Sequence, residues 1–401
     1  MRFDLHLRNA VRSRLAEVAG EMKEWEGFAK LGDDVAHRLR ESVRFFEHTK
    51  AAAPLQCAGV DGSGDFPALA YADSFVYLTV AQGSVYTNDN VHGLKEVDIG
   101  VPTLFDAFWI PESETRRSEA WDAAFARLGG MSVRDVVITS DYRELKYKFS
   151  GRRTSVDELV EQLIRPNASD SSNVAIQLRT TGELGIALRL LERIPPQQGR
   201  FRTLIFDSTL TLPLVTRRDV SLFYEHLKRL CCVEARRRGV VLLGLSKSHG
   251  LPGMEFIEDA AREVAGTGKN ETPEHWYLKI PSKDMDGWTL PATEGRRIPP
   301  AGAVTYLVRF HRNVPVLRVD LDANYWGEHL REDDQARGLF QSLDYCSHDQ
   351  RSYGYPYPVK AGHDRASLTE AERVALRKQL VDEAVRAGLK RSLFREVSLA
   401  T

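Results

Sequence analysis

The chain contains no run of 18 consecutive apolar residues, and its start, Met1-Arg2-Phe3-Asp4, has no apolar signal region. A membrane-spanning helix needs about 20 apolar residues and a secretory leader needs an apolar stretch, so a soluble, cytoplasmic protein with no membrane partner is expected. Cysteine is scarce. The four present (Cys57, Cys231, Cys232, Cys346) have neither zinc-ligand spacing nor the density of a disulfide framework, which fits a reducing compartment. There is no excess of charge of one sign either: the formal net charge is −1. If the partner is DNA, its attraction must come from a local positive patch and not from the whole chain. What remains is a sequence of 401 residues, 42% hydrophobic and 28% charged, able to bury a full core and long enough for one large or two ordinary domains.

The most informative stretch is Ala58-Gly59-Val60-Asp61-Gly62-Ser63-Gly64. A short apolar run ending in an acid and then small residues reads as a strand that delivers a carboxylate to a sheet edge. Thr203-Leu204-Ile205-Phe206-Asp207-Ser208-Thr209-Leu210 repeats the pattern. Two strand-borne carboxylates suggest a divalent metal site, because hard oxygen ligands on rigid elements suit Mg²⁺ or Mn²⁺. Taken singly, each Asp equally fits a turn or cap. A third buried-type run, Val240-Val241-Leu242-Leu243-Gly244-Leu245-Ser246, ends in Lys247. Near the C-terminus stands Tyr353-Gly354-Tyr355-Pro356-Tyr357-Pro358-Val359, followed by His363 and Asp364.

Around these motifs the chain organises itself by periodicity. Across residues 9–48, Val11, Leu15, Val18, Met22, Trp25 and Phe28 recur at three- and four-residue steps, predicting an amphipathic helical hairpin that packs on the sheet or docks a partner. Residues 75–86 read as a strand entering a turn and then another strand, and with residues 56–61 they form a meander of short antiparallel strands. Residues 111–172 are charge-rich, with helices near 118–128 and 155–164, and read as an insertion. Its basic clusters, Arg116-Arg117, Arg143 to Lys148 and Arg152-Arg153, are either solvated or directed at DNA. A helix over 182–193 precedes the Asp207 strand, and a helix over 219–238 follows it. Residues 250–300 are turn-rich, with a short helix near 256–264 and exposed-type aromatics including Trp276, Tyr277 and Trp288; paired strands over 303–311 and 314–321 come next. A closing helix runs over 369–397, with Thr369-Glu370-Ala371-Glu372 as a capping box. This ordering alone reaches only an α/β class.

Taken in order, the Val-Asp-Gly-Ser strand at Asp61, the strand ending at Asp207, the Gly244-to-Lys247 strand and the Gly-Tyr-Pro-Tyr-Pro segment at 354–358 resemble the NurA nuclease family. The resemblance runs from about residue 55 to about 370. It implies an RNase H-like mixed sheet flanked by helices, with residues 1–50 as an N-terminal helical segment, 51–370 as the nuclease domain carrying insertions at 111–172 and 250–300, and 371–401 as a C-terminal helix packed on it. The sequence departs from the family where Ser208-Thr209 follow Asp207 in place of Gly-Ser, and where the 111–172 insertion is long.

A two-metal site needs more than two carboxylates. The helix before the Asp207 strand offers Glu183 and Glu192. From Glu183 to Arg193 that helix rises roughly 15 Å, and the strand from Arg202 to Asp207 climbs about 17 Å. Glu183 therefore ends level with Asp207 while Glu192 lies at the opposite end, although a first-turn acid favoured by the helix dipole explains Glu183 as well. The family's acidic residue on this helix favours the ligand reading. Lys247 suits a non-bridging phosphate oxygen, or is simply solvated. The resemblance places an acid or His near His363, where His363 and the adjacent Asp364 compete as metal ligand or proton carrier, with His363 preferred. Tyr353, Tyr355 and Tyr357 either stack the bases of a single strand or pin the tail to the sheet. The resemblance implies a Mn²⁺-dependent (or Mg²⁺-dependent) 5′ to 3′ exonuclease and single-strand endonuclease. It implies a homodimer that processes DNA ends with a HerA-type hexameric ATPase. The rivals are another RNase H-like enzyme of transposase or Argonaute type, and a non-catalytic subunit that clamps DNA or regulates a translocase.

Overall fold

The structure, a computed structural model, describes residues 5–395 apart from 27–30, 49–52, 73, 90–92, 101–102, 112, 166–170, 195–200, 211–221, 252, 269–270 and 294–297. Helices α1 (Leu5–Glu26) and α2 (Asp33–Ser42) lead into a short strand, β1 (Val43–Phe45). Two long strands, β2 (Leu55–Tyr71) and β3 (Ser74–Asp89), are followed by β4 (Gly93–Glu96) and β5 (Leu104–Ile110). Helices α3 (Glu114–Gly129), α4 (Val133–Thr139), α5 (Tyr142–Ser150) and α6 (Val156–Leu163) precede the long α7 (Ser171–Arg193). Then come β6 (Phe201–Phe206), α8 (Phe223–Arg237), β7 (Val241–Ser246), α9 (Met254–Ala265), β8 (Trp276–Lys279), the single-turn α10 (Lys283–Asp286), β9 (Ala303–Arg309) and β10 (Leu317–Asp322). The chain ends through α11 (Ala323–His329), α12 (Asp333–Ser347), the small hairpin of β11 (His348–Asp349) and β12 (Ser352–Tyr353), α13 (Tyr357–Ala366), α14 (Glu370–Arg386) and β13 (Phe394–Arg395). No described helix is long and apolar enough to cross a membrane.

One mixed sheet of 11 strands runs in the order β1-β8-β9-β10-β7-β6-β2-β3-β4, with β5 pairing β3 and β13 pairing β2. Strand β6 is parallel to both β2 and β7, while β2, β3 and β5 form an antiparallel meander. A three-strand meander continued by helix, parallel strand, helix and parallel strand is the RNase H-like order. Parallel neighbours cannot be joined by a tight hairpin, so helices cover the sheet on both faces. On one face Ala58, Val60, Leu204, Phe206 and Leu242 pack with α3, α7 and α8 through Trp121, Phe125, Leu184 and Leu190. On the other, Cys57, Ile205, Leu243 and Leu245 meet Leu339, Phe340 and Leu343 of α12 and Val359 of α13. The odd residues of β2 and β6 thus face α12 and α13, and the even ones face α7, as a period of two requires.

Several expectations are corrected by this arrangement. Residues 75–86 hold no turn: β3 runs straight through them, Gly83 included. A Cβ there would lie 2.6 Å from Leu190 Cδ1, so the glycine lets α7 press onto the strand. Nor does the Asp61 strand end at its small residues; β2 continues to Tyr71, with a register slip between Asp65 and Leu69. The meander's third strand, β5, escaped the sequence reading because its apolar residues point both ways, with Phe105 and Trp109 half exposed. Trp276 and Tyr277 are buried, not exposed, because β8 lies inside the sheet between β1 and β9. The helix expected from 182 begins at Ser171, and the closing helix stops at Arg386. Residues 219–221 of the next expected helix, and Phe28 of the N-terminal stripe, lie outside the described residues.

The N-terminal stripe divides in two. Leu39 of α2 enters the core with α9 and β8, whereas Val11, Leu15 and Met22 of α1 remain about half exposed or more. The 111–172 helices do not sit apart: Val133, Val136, Leu159 and Leu163 belong to the same cluster as α7.

Candidate active site

Strands β2 and β6 pair in parallel with Val60 opposite Phe206. Asp61 and Asp207 are the next residue of each, so the register sets the two acids side by side on the face that receives α13. Asp61 is buried, at 6% exposure, and its Oδ1 accepts a hydrogen bond from the Gly62 N–H at 2.7 Å. Gly62 faces the other way, toward α7. A Cβ on Gly62 would stand 2.7 Å from Glu183 Cγ and 2.9 Å from its Oε1, so this glycine makes room for the third carboxylate at the sheet.

Glu183 sits mid-helix on α7 and is 5% exposed, which removes the first-turn explanation of its charge. Burial pushes its pKa up to about 8. Arg179 pulls the other way from 3.4 Å, and the charges of Asp61 and Asp207 add to the rise. Glu192, the rival acid, is exposed. Asp207 is also raised, by burial and then by Asp61, against the opposing pull of Lys247, Tyr355 and His363. Three carboxyl groups therefore share one electrostatic neighbourhood.

Helix α13 completes the cluster, and glycine again permits it. A Cβ on Gly59 would lie 2.3 Å from the Pro358 and Val359 backbone, and one on Gly362 would lie 3.3 Å from the Asp61 N. Two bare backbones touch here. Ser84 Oγ fixes the seat by donating to the Pro358 carbonyl at 2.7 Å. His363 Nδ1 consequently lies 2.7 Å from Asp61 Oδ2, while its Nε2 is 3.3 Å from Ser367 Oγ. Asp364 turns away and binds Lys360 through both oxygens at 2.8 and 2.7 Å. Of the two candidates, the helix brings His363 to the carboxylates.

The tyrosines separate by burial. Tyr355 is 7% exposed; its hydroxyl makes no well-aligned hydrogen bond yet lies close enough to Asp207 to lower that acid's pKa. Lys247 Nζ sits over the Tyr355 ring at 3.6 Å, leaving the ammonium exposed beside Asp207. Tyr357 carries Arg351 on its ring at 3.7 Å and meets Tyr86 edge-on. Tyr353 alone of the three is largely exposed. Tyr355 and Tyr357 therefore pack as wedges at the cluster, each with a cation already stacked on it.

Two cations near the site were not singled out by sequence. Lys228 of α8 is buried, and its Nζ donates to the Thr209 carbonyl at 2.7 Å, bracing the loop that follows Asp207. Burial lowers its pKa against the pull of Glu225, Asp320 and Glu183. Arg179 lies one helical turn before Glu183. Both belong to helices whose basic residues look like an ordinary solvated face, so no local pattern marks them; only the i,i+4 spacing of Arg179 and Glu183 was available as a signal.

The donors are carboxylate oxygens with one imidazole beside them, the set that suits a hard or borderline divalent cation. Burial is the main cause of the raised pKa of Glu183 and the charges of Asp61 and Asp207 add to it; a divalent ion would offset that added repulsion. The residues present therefore fit Mn²⁺ or Mg²⁺. A tighter group of potential ligands, with all its ligand atoms within 4.8 Å of one another, lies elsewhere, at His48, His275, Asp344 and His348.

The fold and the cluster together define an RNase H-like α/β protein with a centre of three carboxylates and a histidine. No family model matches the sequence, and no curated protein matches it. Among solved structures the chain is similar to the NurA nuclease from Sulfolobus solfataricus, at 11% identity and a TM-score of 0.46, covering 97% of this chain and 99% of that one. It is also similar to NurA bound to dAMP and manganese, at 11% identity and a TM-score of 0.39 over 96% and 98% of the two chains. Endonuclease V of Ciona intestinalis, in complex with an inosine-containing 24mer DNA, shows 10% identity and a TM-score of 0.31 over 90% and 99%.

Proposed function

We propose that this chain is a divalent-metal-dependent deoxyribonuclease. The observation that carries the reading is the register of β2 and β6, which sets Asp61 beside Asp207 while Gly62 admits the buried Glu183 and α13 adds His363. Asp61, Glu183 and Asp207 would hold the cation or cation pair, with His363 within reach. When bound, such ions polarise a scissile phosphate and lower the pKa of water. His363, oriented by Asp61, is placed to hold or move a proton at the leaving oxygen. Lys247 offers its exposed ammonium to a non-bridging oxygen, and Lys228 holds the 208–209 loop in place.

The finer reading follows the family that the motifs resemble: 5′ to 3′ exonuclease and single-strand endonuclease action, Mn²⁺ preference, a homodimer, and DNA-end processing with a HerA-type hexameric ATPase. The exposed Val11, Leu15 and Met22 on α1 support a docking role for that helix. Removing residues 1–31 tests it without stripping β1 from β8: loss of dimerisation or of ATPase co-purification is expected while cleavage of a short single strand persists, and retention of both would end the proposal.

The decisive experiment is cleavage of single-stranded and duplex DNA with Mn²⁺, with Mg²⁺ and with chelator. Wild type should cut only with metal, and Asp61→Ala and Asp207→Ala should not cut although folded. DNA binding without metal-dependent cleavage by the wild type would favour the non-catalytic clamp, and unchanged turnover in either variant would overturn the site.

A further inference from the structure

Outside the carboxylate centre, three histidines surround one buried acid. Asp344, near the end of α12, is 0% exposed. Its Oδ2 lies 2.7 Å from His48 Nδ1, just beyond β1. Its Oδ1 lies 3.1 Å from His348 Nδ1 and 3.6 Å from His275 Nε2. The imidazoles crowd one another as well, with His48 and His348 ring centres 4.2 Å apart.

The cluster is left incomplete by the protein itself. Asp344 Oδ1 and His275 Nε2 are buried and make no hydrogen bond, a costly state for a carboxylate oxygen and a ring nitrogen. His275 also holds a left-handed backbone, with φ of 57°, which a non-glycine residue rarely adopts. Backbone strain of this kind persists where the surroundings demand a particular side-chain direction, and here the direction is toward Asp344.

We propose that His48, His275, Asp344 and His348 form a zinc site that staples the β1–β8 edge of the sheet to α12. Three imidazole nitrogens and one carboxylate oxygen make a tetrahedral donor set suited to Zn²⁺, with no thiolate to favour softer ions. All four positions are filled by protein, the mark of a structural site and not a catalytic one. An ion at Zn–N distances of about 2.0–2.1 Å needs ligand atoms roughly 3.4 Å apart. The widest separation here is no more than 4.8 Å, a gap that side-chain rotation closes on metal uptake. His48 is the most open of the four, with 32% of its side chain exposed, and marks the path by which the ion enters. The staple joins segments already in contact, since Phe46 N–H donates to the His275 carbonyl at 2.9 Å.

The test uses the full chain, stripped with chelator and titrated with Zn²⁺ in excess Mg²⁺, in wild type and in Asp61→Asn to silence the carboxylate centre. One equivalent of zinc is expected in both, with a higher melting temperature and, on Co²⁺ substitution, the intense visible absorption of a tetrahedral site. His48→Gln, at the open side where folding is not at stake, should weaken uptake at least about tenfold, as loss of a ligand's support does, and His348→Gln should abolish the Co²⁺ band. The proposal is overturned if Asp61→Asn takes up no zinc, or if His48→Gln and His348→Gln both bind it as wild type does.

Discussion

In the metal-free protein Glu183 keeps its proton at neutral pH, because burial pushes its pKa up to about 8, whereas an unfolded glutamate titrates near about 4.3. Between those values the folded chain binds the extra proton, so the stability this group confers is complete below the lower value and drains away as pH rises through the upper one. From about pH 6 to about pH 9 roughly two units of that displacement are lost, at ~1.4 kcal/mol each, or about 3 kcal/mol. At 5% exposure, little solvent screening reduces the figure. Glu225, which burial pushes to about 7, titrates in the same window, so the wild-type curve alone is ambiguous and the difference from Glu183→Gln isolates Glu183. Denaturant unfolding of chelator-treated protein should show the variant gaining on wild type by about 3 kcal/mol between the two pH values. Cation uptake must displace the same proton. Wild-type Mn²⁺ affinity should therefore rise about tenfold per pH unit up to about pH 8 and then level, and the variant should bind weakly with no such slope. Parallel stability curves, or a Mn²⁺ affinity independent of pH, would refute the assignment of Glu183 to the centre.

Three further outcomes are expected. His363→Ala should slow cleavage on the order of 100-fold or more with DNA affinity retained, while Asp364→Ala should stay near wild type because its carboxylate engages only Lys360 at the surface; equal effects in a single-turnover assay would count against the His363 role. Gly62→Ala should displace Glu183 and slow turnover on the order of 100-fold, with a melting temperature only modestly lowered because the clash is with a side chain; wild-type rates would show that Glu183 need not approach the sheet. Lys247→Ala should weaken DNA binding and reduce the slope of log affinity against log salt by about one, and an unchanged slope would make Lys247 an ordinary solvated lysine.

Asp207 and Lys247 were legible because each stands just past the end of a buried apolar strand, and Asp61 because it interrupts the buried residues of a strand that runs on to Tyr71. The Glu183 choice was reachable because rise per residue places helix and strand against each other, although the helix proved longer than its sequence signal. The turn expected within residues 75–86 is absent because the glycine there, Gly83, serves a close helix contact, and nothing local distinguishes that use from a turn. Trp276 and Tyr277 were misplaced because their loop-like surroundings concealed a strand paired on both sides. Lys228 and the cluster around Asp344 depend on tertiary contact, across 19 residues from Lys228 to Thr209 and across 296 from His48 to Asp344; within that cluster only Asp344 and His348 carry a local trace, an i,i+4 spacing.

The bare-backbone seat of α13 on β2 also sets a clock. His363 lies 302 residues beyond its partner Asp61, so at a synthesis rate of about 5–20 residues per second the aspartate is made roughly 15–60 s before the histidine. All three carboxylates can assemble from the chain up to β6, but the groove at Gly59 stays open until α13 is translated and seated. A ribosome that stops short of α13 yields a product that retains the acids and lacks the histidine. The full centre therefore exists only on chains that extend past α13.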